Sequence, residues 1–220
     1  MIDVLNTRLI IFDFDGTLAD TTDTILRTYQ MAIAETGAAD RTDSECQATI
    51  GLPLKEGFRQ LYPDFTDEKL DDCVRTYRRI FNSNKKDLVP ELYPGVKEVL
   101  AELSGKGIQM AVASSRSHES LIEFCDDNDI TGFFSLILGA DDVVHAKPDP
   151  EPVLTILKHL DKSPDHTLVV GDMPVDIAMG NGAGCRTVGV TYGNSSRKDL
   201  TEARAWRIID SFPQLMAEIP

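Results

Sequence analysis

Two aspartates, Asp13 and Asp15, close the apolar run Leu9-Ile10-Ile11-Phe12, and Gly16 and Thr17 follow at once. A run this short, rich in Ile and Phe and stopped by a glycine, reads as a buried parallel strand. Ligands of open α/β sheets bind just beyond the carboxyl ends of such strands. Two residues apart in extended chain, the carboxylates point to one side. Held that close they repel, and a bound cation is the natural way to keep both ionised. An Asp-Gly turn that merely starts a hairpin would use the same residues, so the rest of the chain has to decide.

Three later stretches place polar groups in equivalent positions. Ala111-Val112-Ala113 runs into Ser114-Ser115-Arg116, and Val169-Val170 into Gly171-Asp172, with Asp176 four residues on. Lys147 follows the Phe134–Leu138 run and precedes Pro148, which favours an extended segment there. In a parallel sheet all of these converge on one edge as four carboxylates, a hydroxyl and an amine. That inventory suits phosphoryl transfer. A hard divalent cation, Mg²⁺ most naturally, takes oxygen ligands and bridges carboxylates to phosphate. Lys147 and the Ser114 hydroxyl can meet the charge on the transferred group. One aspartate can act as nucleophile, and a second carboxyl can protonate the leaving alcohol and then deprotonate water. Plainer roles stand beside these: Asp172 as cap of a helix starting near Pro174, Asp176 on a solvated face, Ser114 as an N-cap, Lys55 as surface charge.

The elements that must position these groups are readable from periodicity. Asp20, Thr21 and Thr22 offer N-caps to a helix carrying Ile25, Tyr29, Ala32 and Ile33. From there to about Leu88 no strand pattern occurs. Gly51-Leu52-Pro53 separates two helical pieces, and Leu70, Cys73, Val74, Tyr77 and Phe81 fall at helical spacing. Residues 21–87 therefore read as an all-helical insertion after the first strand, with 1–20 and 88–220 as an α/β unit. In the second part, helices on Val96–Leu103, Leu121–Cys125 and Val153–Leu160 alternate with strands at Ile108–Ala113, Phe134–Leu138, Thr167–Val170, Thr187–Val190 and Trp206–Ile209. This alternation argues for a mainly parallel sheet with helices on both faces.

Composition narrows the partners. The chain has 220 residues, 36 acidic against 22 basic, and a net charge of −14. That excess repels a nucleic-acid backbone, while a metal and a few placed cations still admit a small anionic substrate. Cys46, Cys73, Cys125 and Cys185 form no C-x-x-C pair and read as reduced thiols. His118, His145, His159 and His166 lack zinc-ligand spacing. No run is long enough for a membrane span or a signal-peptide core, which leads to the expectation of a cytoplasmic protein. Oligomeric state leaves no trace in the sequence.

Taken in order, Asp13-Phe14-Asp15-Gly16-Thr17, Ser114, Lys147 and Gly171-Asp172 with Asp176 resemble the motifs of the haloacid dehalogenase superfamily over essentially the whole chain. The resemblance implies a Rossmann-like core and a helical cap inserted after the first motif. It implies Asp13 as nucleophile and Asp15 as general acid and base. Mg²⁺ would be held by the Asp13 carboxylate, the Asp15 carbonyl and Asp172. Ser114 and Lys147 would bind the phosphoryl group, and Asp176 would position Lys147 or the metal's water. Gly16, Thr17, Ser115, Arg116 and Lys55 are the candidate substrate contacts. Asp-Gly-Thr-Leu, Lys-Pro-Asp-Pro and the Gly51-Leu52-Pro53 loop look most like phosphoglycolate phosphatases. Ser114-Ser115-Arg116 replaces a common Thr-Asn-Lys, and Met173-Pro174 departs as well, so the phosphorylated metabolite stays open. Pyrophosphatase and phosphosugar mutase are the alternatives, with a phosphoryl-accepting signalling module behind them.

Overall fold

The computed structural model describes residues 7–84 and 90–219. Its main sheet contains β1 (Leu9–Phe12), β4 (Gln109–Ala113), β5 (Leu136–Leu138), β6 (Thr167–Gly171), β7 (Arg186–Val190) and β8 (Arg207–Ile209). The order is β5-β4-β1-β6-β7-β8, and every pairing is parallel. β1 lies between β4 and β6, and all four of its residues are fully buried. Alternation explains how one short strand serves two layers. Ile10 and Phe12 join the cluster under α5 (Val96–Gly105) and α6 (His118–Asp127). Leu9 and Ile11 join the opposite cluster, under α7 (Glu151–Leu160) and α8 (Pro174–Gly182). Both faces of the sheet are thus covered, as βαβ crossovers require.

Between β1 and α5 the chain leaves the sheet. It builds α1 (Thr22–Thr36), α2 (Asp43–Gln47), α3 (Leu54–Leu61) and α4 (Asp67–Ser83). Their apolar faces meet in a separate cluster, where Tyr29 packs on Phe58 and Tyr77. The sequence reading had only two helical pieces. The short α2 is set by a capping box in which Thr42 and Glu45 bond each other's backbone N–H, a local signal too brief for periodicity to detect. The expected N-cap of α1 falls on Thr21, whose side chain makes no capping bond.

A further pairing escaped the sequence: β2 (Ala19–Asp20) lies antiparallel to β3 (Glu91–Leu92). This ladder joins the outgoing and returning chain at the root of the helical segment. The boundary expected at 87/88 lies outside the described residues. The expected Phe134–Leu138 strand is shorter, because a 3-10 turn occupies Thr131–Phe133. All four cysteines are buried and free. Among the described residues no helix is long and apolar enough to cross a membrane.

Candidate active site

Because β4, β1 and β6 are parallel neighbours, their carboxyl ends open side by side. The Asp13 N–H donates to Val170 O at 2.8 Å, carrying the ladder one step past β1. The Asp13 side chain is thereby fixed in the floor, 3% exposed. Lys147 reaches it from the loop between β5 and α7 rather than from a strand end, and the Lys147–Pro148 peptide is cis. Its Nζ donates to Asp13 Oδ1 and to Asp176 Oδ1, both at 2.6 Å. Asp176 also accepts the Met173 N–H at 3.0 Å, so it caps the first turn of α8 while holding the lysine.

Asp172 lies beside this chain of charges and is held by hydrogen bonds. Its Oδ2 accepts from the Asn194 N–H at 2.7 Å and from Asn194 Nδ2 at 2.9 Å. Thr17 Oγ1 donates to its other oxygen at 3.4 Å. Gly16 makes the approach possible: it has φ +83°, and a Cβ there would stand 2.3 Å from Asp172 Oδ2. Gly171 plays a similar part, since a Cβ on it would lie 2.3 Å from Asp176 Cβ.

Asp13, Asp172 and Asp176 each offer a carboxylate oxygen within 4.8 Å of the others. These three buried acids share one ammonium. Burial, then Asp176, pushes the Asp13 carboxyl well above the usual range, against the pull of Lys147. Burial and Asp176 likewise raise Asp172 to about 7, against the Asn194 bonds. For Lys147 burial opposes the charge, but Asp13 and Asp176 outweigh it and hold the ammonium charged. An excess of hard oxygen donors over positive charge fits a divalent cation such as Mg²⁺.

Asp15 does not add its carboxylate to this set, contrary to the extended-chain expectation. The strand stops at Phe12, a turn follows in which Leu18 N–H donates to Phe14 O, and the side-chain alternation ends with it. Asp15 instead faces Arg116, with Nη2 2.5 Å from Oδ1 and Nε 3.2 Å from Oδ2. The guanidinium lies 5.9, 5.1 and 5.4 Å from the ring centres of Phe14, Phe81 and Phe124.

Ser114 is buried, and its Oγ accepts the Arg116 N–H at 3.2 Å. It is not an N-cap, because α6 begins after Ser117. Ser115 Oγ donates to Gly51 O at 2.5 Å, joining the sheet edge to the helical segment. Between the two lies a cavity of about 600 Å³, lined by Asp13, Asp15, Ser114 and Arg116 below and by Tyr29, Lys55, Arg78 and Phe81 above. Lys55 reaches it while paired to Asp71 at 2.7 Å. Asn194 was missed by the sequence reading. It follows β7 at the same edge, so the strand-end rule that picked out Ser114 and Asp172 would have found it.

The family model for haloacid dehalogenase-like hydrolases matches residues 10–190. A protein of Dickeya dadantii called probable phosphatase IndB is 35% identical over 210 residues, 94% of this chain and 91% of that one. Pyrophosphatase PpaX of Anoxybacillus flavithermus is 32% identical over 196 residues, 89% of each chain. The solved structure of a haloacid dehalogenase-like hydrolase from Bacteroides fragilis, 28% identical, superposes with a TM-score of 0.90 over 94% of this chain and 99% of that one. With sequence, fold and strand-end residues in agreement, the chain belongs to the haloacid dehalogenase-like hydrolases, among their phosphatases.

Proposed function

We propose that this phosphatase hydrolyses a small phosphate monoester through an aspartyl phosphate, with Mg²⁺ as cofactor and residues 21–87 as a cap over the site. The observation that carries the reading is the buried Asp13–Lys147–Asp176 chain with Asp172 alongside it. The Asp13 carboxylate, the Asp15 carbonyl and Asp172 would hold the metal. When bound, Mg²⁺ would offset the charge of the carboxylates and of the phosphoryl oxygens.

Asp13 attacks phosphorus, and the bond to the leaving oxygen breaks. That oxygen takes a proton from Asp15, which enters the step as the neutral acid. Asp15, now a carboxylate, then takes a proton from water. The water oxygen bonds to phosphorus, releasing inorganic phosphate and restoring the Asp13 carboxylate. Lys147 favours the ionised form of Asp13 against burial and, with Ser114, faces the charge on the transferred group. Tyr29, Lys55 and Phe81 in the roof are placed to exclude water and to sort leaving groups. The setting is cytoplasmic.

A phosphoanhydride is the second reading, favoured by the several relatives named pyrophosphatase PpaX. Phosphate release from a panel of monoesters and from pyrophosphate, with and without Mg²⁺, tests both. Activity that survives exhaustive EDTA treatment, or that survives Asp13→Asn, would remove the mechanism.

A further inference from the structure

The proposed chemistry needs Asp15 at the leaving oxygen, yet both of its carboxylate oxygens are engaged by Arg116. The pair is nearly dry, with side chains 13% and 8% exposed. Apart from Asp15, the guanidinium meets, among the described residues, the Ser120 hydroxyl, 3.0 Å from Nη1, and three aromatic rings. An arginine so enclosed does not release its counter-ion into nothing, because a buried charge left unpaired is strongly unfavourable. It can exchange one anion for another. The cavity makes such an exchange possible: Asp15, Arg116, Ser114 and Asp13 all line it, so a molecule bound at Asp13 reaches the guanidinium.

We propose that the substrate carries a second anionic group on its leaving portion, and that this group replaces Asp15 on Arg116 and so turns Asp15 toward the leaving oxygen, the freed carboxylate taking from water the proton that it then donates. The inference rests on the phosphatase reading above and deepens it. The forked guanidinium suits a planar carboxylate or two oxygens of a second phosphate. An ester without such a group leaves the Asp15–Arg116 pair closed and its leaving oxygen without a proton donor. Arg116 is then a specificity-determining and positioning residue. Because Phe81 of α4 covers its guanidinium, the exchange is also felt by the helical segment.

The test compares 2-phosphoglycolate and pyrophosphate, which carry the second anion as carboxylate or phosphate, with ethyl phosphate, which lacks it. The parent protein should turn over at least one anionic substrate with kcat roughly 10–100-fold above ethyl phosphate, the worth of one or two charge-assisted hydrogen bonds. Which of the two is preferred identifies the source of the anion. Arg116→Gln should bring the ratio close to one, with the change in kcat rather than in KM alone. Arg116→Lys should keep part of the preference, and circular dichroism with thermal melting checks that both variants fold. An equal kcat for all three substrates in the parent overturns the proposal without any variant. So does a ratio that survives Arg116→Gln but falls in Arg78→Ala, which would give the recognition to the roof. p-Nitrophenyl phosphate separates the two levels. If the parent with Mg²⁺ hydrolyses none of the four compounds, the phosphatase mechanism fails. If it hydrolyses p-nitrophenyl phosphate without any second-anion preference, only this inference fails.

Discussion

Replacing Lys147 by Met should separate stability from chemistry at this site. The ammonium has 1% of its side-chain surface exposed and lies 2.6 Å from each of two carboxylates. At that separation and an effective dielectric of about 20, each contact is worth roughly 6 kcal/mol before desolvation is subtracted. Removing one partner of a buried pair typically costs about 3–5 kcal/mol. For a chain of this size that corresponds to a fall in Tm of roughly 6–20 °C. Proton uptake by Asp13 and Asp172, whose carboxyls burial already raises, softens the loss in acid. The deficit should therefore be larger at pH 8 than at pH 5. Turnover should drop about 10²–10³-fold, as for loss of one preorganised electrostatic contact. Adding Asp176→Asn removes one of the orphaned carboxylates, so the double variant should recover part of the Tm without recovering turnover. Calorimetry at both pH values and steady-state kinetics at saturating Mg²⁺ supply the measurements. A Lys147→Met protein with unchanged Tm and near-normal kcat, or a double variant less stable than either single one, would refute the charge-balance argument.

Asp15→Asn should let p-nitrophenyl phosphate react once and then stall, because a nitrophenolate leaves without much protonation while the second step still needs a base. Acid quenching and mass spectrometry should find the phosphoryl group on the peptide holding Asp13, and phosphate elsewhere would contradict the assignment. The metal-free protein should lose stability as pH rises. Asp172 has a folded pKa near 7 against an ordinary carboxyl when unfolded. Its contribution is therefore complete below about pH 4 and fades through pH 7, at up to about 1.4 kcal/mol per pH unit. Melting curves at pH 5 and 8 should converge on adding Mg²⁺, and a metal-free Tm that rises over this range would oppose the reasoning. Asn194→Ala removes the side-chain donor to Asp172 and should weaken Mg²⁺ binding about 10–100-fold, read by titration calorimetry; an unchanged affinity would make Asn194 a loop residue only.

The sheet was legible because its strands are buried on both faces and so read as continuous apolar runs. Ile10 and Phe12 serve one layer, Leu9 and Ile11 the other, and no polar residue interrupts them. The helical segment was legible for the complementary reason: Leu70, Cys73, Tyr77 and Ile80 keep one face of α4 buried. Two features carried no such signal. The β2–β3 ladder is two residues on each side, too short for any period, and it forms because Ala19–Asp20 and Glu91–Leu92 are brought together by the elements around them. The five-residue α2 depends on its cap.

The site was legible to the extent that strand ends determine it. Asp13, Ser114 and Asp172 stand just past β1, β4 and β6, and parallel pairing alone makes them neighbours. Lys147 and Asn194 sit on loops, and only the lysine was found, because it follows the Phe134–Leu138 run and Pro148 restricts the chain beside it. The partner of Asp15 could not be read at all. Sequence periodicity gives the side of a strand on which a carboxylate lies only while the strand lasts, and here it ends at Phe12. Beyond that point the direction of Asp15 is decided by a charge distant in sequence, Arg116, and by rings from Phe14, Phe124 and the remote Phe81 that shield the pair from water. The two aspartates therefore divide by environment. Asp13 lies among carboxylates and one lysine, where a cation fits. Asp15 lies on an arginine among rings, where a second anion is what would set it free.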